Sequence, residues 1–210
     1  MILLKDVTKY YGSFKALEKI SFDVPSGDSL VISGPSGSGK TTLLRLVAGL
    51  ETVDEGEIHI NSSLVSKPGW NLTPHKRGLG FIFQSPALWP HMTVRDHILF
   101  GLSGLTAEER RERVEDTLKR TGLTGLAHRY PHQISGGEAR RVSIARTIAP
   151  KPPCLLMDEP LTNLDSGLKS DLLDFIKEIV RENKSTLLYV THDEEEGRKI
   201  SQNIFTMKKS

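Results

Sequence analysis

Three stretches, 30–33, 154–157 and 186–190, read as continuous apolar runs. A strand covered on one face alternates apolar and polar positions. A continuous run instead fits a strand buried on both faces. The first two runs pass into a polar or Gly-rich turn and then a helical pattern, which is the strand–turn–helix order of a parallel α/β sheet. Shorter β-like runs lie at 2–7, 20–24, 57–60 and 80–83, with a weaker one at 204–207.

Between 85 and 151 the texture changes. Helical patterns are expected at 93–102, 106–121 and 137–149, with no convincing strand among them. Thr106 followed by Glu109 has the spacing of a capping box. Arg110, Arg111 and Arg113 alternate with Glu108, Glu109, Glu112 and Glu115, which reads as a solvated helix face. This stretch is expected to be a helical subdomain inserted into an α/β core made of 1–84 and 152–210, all within one domain.

Composition narrows the picture. A chain of 210 residues suits one domain with a small insertion and can bury a core without disulfides. Cys154 is the only cysteine, so no intrachain disulfide is possible, which fits a reducing compartment. The net charge is only +2, which gives no general pull towards nucleic acid or anionic membrane. No window approaches the roughly 20 apolar residues of a membrane helix, and the N-terminus lacks a signal-peptide core. The chain is expected to be soluble, so other subunits would have to supply any membrane spans.

The run 30–33 leads directly into Gly34-Pro35-Ser36-Gly37-Ser38-Gly39-Lys40-Thr41, and a helix is expected from Thr42. This is a complete GxxxxGK[ST] phosphate loop in its required strand–helix setting. A triphosphate needs many donors at close range. Glycines let the backbone curl so that successive N–H groups point inward, and the helix start adds unpaired N–H groups and a positive dipole end. Lys40 can reach the β- and γ-phosphates and the Thr41 hydroxyl can ligate Mg²⁺. By itself the loop marks a P-loop nucleotide binder, a class that covers kinases, GTPases, helicases and transport ATPases; ATP and Mg²⁺ are the cofactors expected of the last.

The run 154–157 ends in Asp158-Glu159-Pro160. Asp158 at a strand tip can hold Mg²⁺, while Glu159, one residue on, can polarise an attacking water. An acidic pair after a strand is weak by itself and gains force only from the phosphate loop upstream.

Ile134-Ser135-Gly136-Gly137-Glu138 precedes a helix and resembles the LSGGQ signature of ABC transporter ATPases. Physically it reads as a second anion site at a helix start, or as an ordinary Ser-Gly-Gly cap. Further marks follow in family order. Tyr11 before Gly12 resembles the aromatic that stacks on adenine. Gln84 resembles the Q-loop glutamine, Thr162-Asn163-Leu164-Asp165 the D-loop, and His192 the switch histidine. The resemblance spans nearly the whole chain. It implies an α/β fold: a P-loop NTPase core with a mainly parallel sheet, an N-terminal antiparallel β subdomain and the inserted α-helical subdomain. It also implies nucleotide contacts from Gly34 through Thr42, Mg²⁺ ligation by Thr41, Gln84 and Asp158, and catalytic roles for Glu159, His192 and Gln84. Two departures stand out. Ile134 replaces leucine, and Glu138 replaces glutamine, which places a charge beside a triphosphate unless Arg140 or Arg141 pairs with it.

In this family two subunits face head to tail. Ser135, Gly136, Gly137, Glu138 and Asp165 would then serve the partner's nucleotide, the partner being a second copy or a paralogue. The run Gln84-Ser85-Pro86-Ala87-Leu88-Trp89-Pro90-His91-Met92-Thr93-Val94 resembles import ATPases for maltose, polyamines, oxyanions and metals. Trp89 there suits either a docking surface for a membrane subunit or the subdomain's own packing. The resemblance implies an ATPase on the cytoplasmic face of the cell membrane. It would work with integral-membrane permease subunits and an extracytoplasmic solute-binding protein, without nucleic acid. Because the sequence stops at Ser210, the regulatory β-rich domain of maltose-type subunits is not expected to follow. The alternatives are an export or lipoprotein-release ATPase, or a soluble non-transport member of the family.

Overall fold

A computed structural model describes residues 1–162, 164 and 166–209. Asn163 and Asp165 of the D-loop lie outside the described residues. The strands are β1 Ile2–Tyr11, β2 Phe14–Val24, β3 Ser29–Ser33, β4 Glu55–Ile60, β5 Ser63–Lys67, β6 Trp70–Asn71, β7 Leu79–Ile82, β8 Cys154–Asp158, β9 Thr186–Val190 and β10 Ile204–Thr206. The helices are α1 Lys40–Ala48, α2 Val94–Phe100, α3 Ala107–Arg120, α4 Gly136–Ile148, α5 Ser166–Asn183 and α6 Glu194–Ile200.

Two sheets form. One is antiparallel, in the order β2-β1-β4-β5-β6. The other has only parallel pairings among its described strands, in the order β10-β3-β9-β8-β7. The continuous apolar runs become the interior strands of the parallel sheet. Every residue of β8 and β9 is buried, as covering by layers on both faces requires. On one face α1 buries Leu43, Leu44, Leu46 and Val47, at the three-to-four spacing of one helix stripe, and packs against β2, β8 and β9. On the other face α5 buries Leu172, Leu173, Ile176, Ile179 and Val180 against Leu155, Met157 and Leu187. Each fully buried aliphatic side chain contributes on the order of 1.5–3 kcal/mol before entropy is counted.

The helices of the 85–151 stretch share a third apolar cluster built from Val94, Ile98, Val114, Leu118, Val142 and Ala145. Thr93 and Thr106 each start a helix through a reciprocal capping box, with Asp96 and Glu109 respectively. Four elements exceed the sequence expectation. β2 starts at Phe14 rather than at 20, β5 and β6 extend the antiparallel sheet, and the run 186–190 is followed by a helix, α6, capped by Asp193.

Candidate functional site

Strand register builds the site. In the parallel sheet Ile32 pairs with Val190, Val190 with Asp158, and Met157 with Ile82. The ends of β3, β9, β8 and β7 therefore lie side by side. Their next residues are the phosphate loop, Thr191-His192, Glu159 and Phe83-Gln84. Ligand crevices form at such carboxyl ends because the chain leaves the sheet there in loops whose backbone groups are free to bind.

The loop after β3 curls through left-handed positions at Gly34 (φ 146), Gly37 (φ 81) and Gly39 (φ 90). Gly39 caps α1, whose first residue is Lys40. The Lys40 ammonium is only 6% exposed and donates to the carbonyls of Gly34 (2.8 Å) and Pro35 (3.0 Å), so the loop folds around its own cation. Ser38 Oγ is buried with no hydrogen-bond partner among the described residues, and Ser38 is not among the residues that line the cleft.

Thr41 Oγ1 donates to Asp158 Oδ1 at 3.2 Å, across 117 residues of sequence. Burial pushes the Asp158 carboxyl up. The Thr41 hydrogen bond opposes that rise, and the neighbouring Glu159 charge adds to it. Glu159 has a left-handed backbone (φ 44), and its N–H donates to Val190 O at 3.0 Å. Its carboxylate lies 3.2 Å from His192 Nδ1 and accepts from Thr162 Oγ1 at 3.4 Å.

These side chains open on a cleft of about 420 Å³, lined by Tyr11, Phe14, Ser36, Gly37, Gly39, Lys40, Thr41, Thr42, Gln84 and Glu159. Asp158 lies beneath its wall, bonded to Thr41. His192 faces a neighbouring hollow with Gly34 and Pro35. Tyr11 reaches the cleft from the other sheet, at the hairpin where it pairs with Phe14. Its hydroxyl donates to Glu51, and burial together with that carboxylate raises the phenol above its ordinary range. The sequence reading missed Phe14. The available signal was a second aromatic on the far side of the Gly12-Ser13 turn from Tyr11.

The donor set fits a magnesium nucleotide. Among the described residues no three His, Cys, Asp or Glu side chains cluster as a metal cage. Thr41 and Asp158 instead offer two hard oxygens in contact with each other. Magnesium is ordinarily held in this way, by one or two protein oxygens, water and substrate phosphates.

Ser135, Gly136, Gly137 and Glu138 are not among the residues lining the cleft. Ser135 caps α4: its Oγ accepts from Glu138 N–H at 3.3 Å, and the Glu138 carboxylate accepts from Ser135 N–H at 2.7 Å. Hydrogen bonding from Ser135 lowers the Glu138 carboxyl, with the Arg141 charge a smaller contribution. The pairing of Glu138 with Arg140 or Arg141 considered from the sequence is not found as an ion pair among the described residues. Arg140 turns away, buried, and donates to the carbonyls of Phe83 (2.8 Å) and Gln84. Arg141 donates at 3.5 Å to Thr121 O. A backbone N–H three residues away, already fixed by the helix start, satisfies the carboxylate at less entropic cost than a mobile guanidinium, so the cap wins. Gly137 is needed for packing, since a Cβ there would lie 2.8 Å from Leu168. At Gly136 a Cβ would meet nothing within 4 Å.

Trp89 packs within the helical subdomain and stays partly exposed. It is 38% exposed, yet its ring stacks on His97 at 5.8 Å and touches Phe100, with the Arg146 guanidinium 5.2 Å from its centroid.

Comparison with known proteins agrees with this arrangement. The family model described as "ABC transporter" matches residues 17–162. A sulfate/thiosulfate import ATP-binding protein, CysA, of Nocardia farcinica is 41% identical over 211 residues, covering 100% of this chain and 62% of that protein. An Fe(3+) ions import ATP-binding protein, FbpC, of Brucella abortus is 42% identical over 209 residues, covering 99% and 58%. The chain thus spans about three fifths of the length of these curated relatives. Among solved structures, a dimeric post-hydrolysis state of the ATP-binding cassette MJ0796 bound to ADP and Pi superposes with a TM-score of 0.88 at 34% identity, covering 100% of this chain and 95% of that one.

Proposed function

The chain belongs to the ABC transporter family, and from that premise we propose that it binds MgATP in the cleft beside Lys40 and hydrolyses it as the motor of a solute importer. One observation carries the reading: the contact between Thr41 and Asp158 with Glu159 and His192 alongside. It groups two candidate metal oxygens, a candidate base and a candidate orienting histidine at one sheet edge.

In this reading the loop N–H groups and Lys40 bind the phosphates, the Lys40 ammonium exchanging its loop carbonyls for phosphate oxygens. Thr41 and Asp158 would hold Mg²⁺, with Gln84 reaching it from the cleft wall. The ion supplies neutralisation of phosphate charge when bound. Glu159 accepts a proton from the attacking water, and His192 keeps the Glu159 carboxylate aimed at that water. Tyr11 stacks on the base.

The signature residues complete the site of a partner subunit, either a second copy or a paralogue. Ser135 and the open Gly136 face outward for that purpose. Asp165 would join them in the shared interface. The likeness to a dimeric cassette bound to ADP and Pi supports the pairing. The names of the curated relatives support import, and the same proposal includes permease subunits at the cytoplasmic face of the membrane and an extracytoplasmic solute-binding protein. Those relatives differ in cargo, sulfate or thiosulfate against Fe(3+), so the solute is left unassigned. No described helix is long and apolar enough to cross a membrane, which accords with a separate permease.

Glu159→Gln tests the reading. The amide keeps the shape and can still accept from Thr162, but it cannot take a proton. ATP binding should persist, turnover should fall about 10²–10⁴-fold, and an MgATP-dependent dimer should accumulate in size exclusion. Near-wild-type hydrolysis would remove Glu159 from the chemistry.

A further inference from the structure

The segment that carries Gln84 is not held by the sheet. The β7–β8 ladder ends at Ile82, and from Phe83 to Ala87 the chain runs as an irregular strap along α4. Two arginines of that helix hold it. Arg140 donates to the carbonyls of Phe83 (2.8 Å) and Gln84, and Arg146 donates to those of Pro86 (3.2 Å) and Ala87 (2.9 Å). Both guanidinium groups are more than half buried, and desolvation lowers the pKa of each. A buried cation is costly unless its donors are satisfied, and here carbonyls that would otherwise lack partners satisfy them. A planar guanidinium presents its N–H donors to two successive carbonyls in a fixed fork, which a single ammonium on a flexible stem does not.

Arg140 also sits two residues past Glu138, whose carboxylate closes the cap on Ser135. One stretch of α4 therefore grips the backbone of Gln84 at its side and presents Ser135 at its start.

We propose that Arg140 is a positioning residue that fixes Gln84 in the cleft through its backbone. The inference rests on the reading of the cleft as a MgATP site. Gln84 itself is exposed, and its side chain lines the cleft opposite Lys40 and Thr41. Its aim therefore depends on the anchored backbone rather than on packing.

The experiment is a double-mutant cycle on the full chain, with MgATP turnover and KM measured for wild type, Arg140→Ala, Arg140→Lys, Gln84→Ala and the Gln84→Ala/Arg140→Ala double variant. Each turnover number is normalised to the fraction of chains that bind a fluorescent ATP analogue, so partial misfolding does not register as lost catalysis. Misplacing a reacting-site group by about 1 Å costs up to about 10²-fold. Arg140→Ala should therefore lower normalised turnover about 10–100-fold while KM moves less than about twofold. Arg140→Lys should recover part of the loss. The double variant should be no slower than Gln84→Ala, because a residue that acts through Gln84 has nothing left to position. Losses that multiply in the double variant would overturn the proposal, as would an Arg140→Ala enzyme with wild-type normalised turnover. Absence of turnover in the wild-type chain would instead overturn the MgATP reading itself, a separate and distinguishable result.

Discussion

A single methyl group separates two glycines of the phosphate loop. Gly37 and Gly39 both have left-handed backbones, at φ 81 and φ 90. A side chain at either position carries the left-handed penalty of about 1–2 kcal/mol. Their surroundings differ. A Cβ on Gly37 would meet nothing within 4 Å, whereas one on Gly39 would lie 2.6 Å from Leu17 Cδ2 and 2.7 Å from the Ala16 carbonyl oxygen. The leucine tip can rotate away, but the carbonyl belongs to β2 and cannot move without the sheet. The loop must then retreat by several tenths of an ångström, at the about 1–3 kcal/mol typical of overpacking. Gly37→Ala should therefore cost about 1–2 kcal/mol, from the left-handed penalty alone, and Gly39→Ala about 2–5 kcal/mol, the two contributions together. Urea unfolding of the nucleotide-free chain, followed by circular dichroism, reads the difference as separate shifts in midpoint at constant slope. The Gly39 variant should also lose more affinity for an ATP analogue, since Gly39 caps the helix whose first N–H groups face the cleft. Equal destabilisation of the two variants would refute the claim that close approach of β2, and not φ alone, requires glycine at 39.

Three further outcomes follow from the site. Burial raises the Asp158 carboxyl in the folded chain, so the native state binds more protons than the unfolded one between the ordinary carboxylate range and that raised value. Stability from this group is thus lost as pH rises through that window, and Asp158→Asn should raise the nucleotide-free melting temperature at pH 7 while abolishing hydrolysis; a lower melting temperature would contradict the linkage. Glu138→Ala removes the acceptor for Ser135 N–H and should destabilise the chain by about 0.5–2 kcal/mol, with Glu138→Gln closer to wild type, because capping and not charge is what the carboxylate supplies. Ser135→Arg should leave nucleotide binding to the monomer intact but block dimerisation and turnover. Mixing it with Lys40→Ala should restore dimerisation through one intact shared site, and a Ser135→Arg protein that hydrolyses ATP normally alone would reduce the motif to a helix cap.

Some of the site could be read directly from the chain because it is local. The phosphate loop, the acidic strand end and the helix caps each occupy a few consecutive residues, and backbone geometry there follows from residue type. Thr106 with Glu109 forms the reciprocal cap that its spacing implies. Other features could not be read in this way. The second aromatic beyond the Gly12-Ser13 turn hints at Phe14, but it becomes a cleft wall only when the antiparallel sheet brings its hairpin beside α1. Strands β5 and β6 are short and, apart from Leu64, Val65 and Trp70, carry little apolar signal.

The sequence by itself determined which segments become buried strands, which glycines and which lysine form the anion cradle, and the order in which the acidic pair, the glutamine and the histidine follow. These depend on periodicity and on backbone freedom, which a short window contains. Only the tertiary structure decided who meets whom. The order β3-β9-β8-β7 puts His192 between the phosphate loop and Glu159, though it comes last of the three in the chain. The same packing sends Arg140 to the carbonyls of the Gln84 strap rather than to the carboxylate two residues before it. A charged side chain takes the partner that burial leaves unsatisfied, and which groups are left unsatisfied depends on sheet order and layer contacts that no local stretch of sequence encodes.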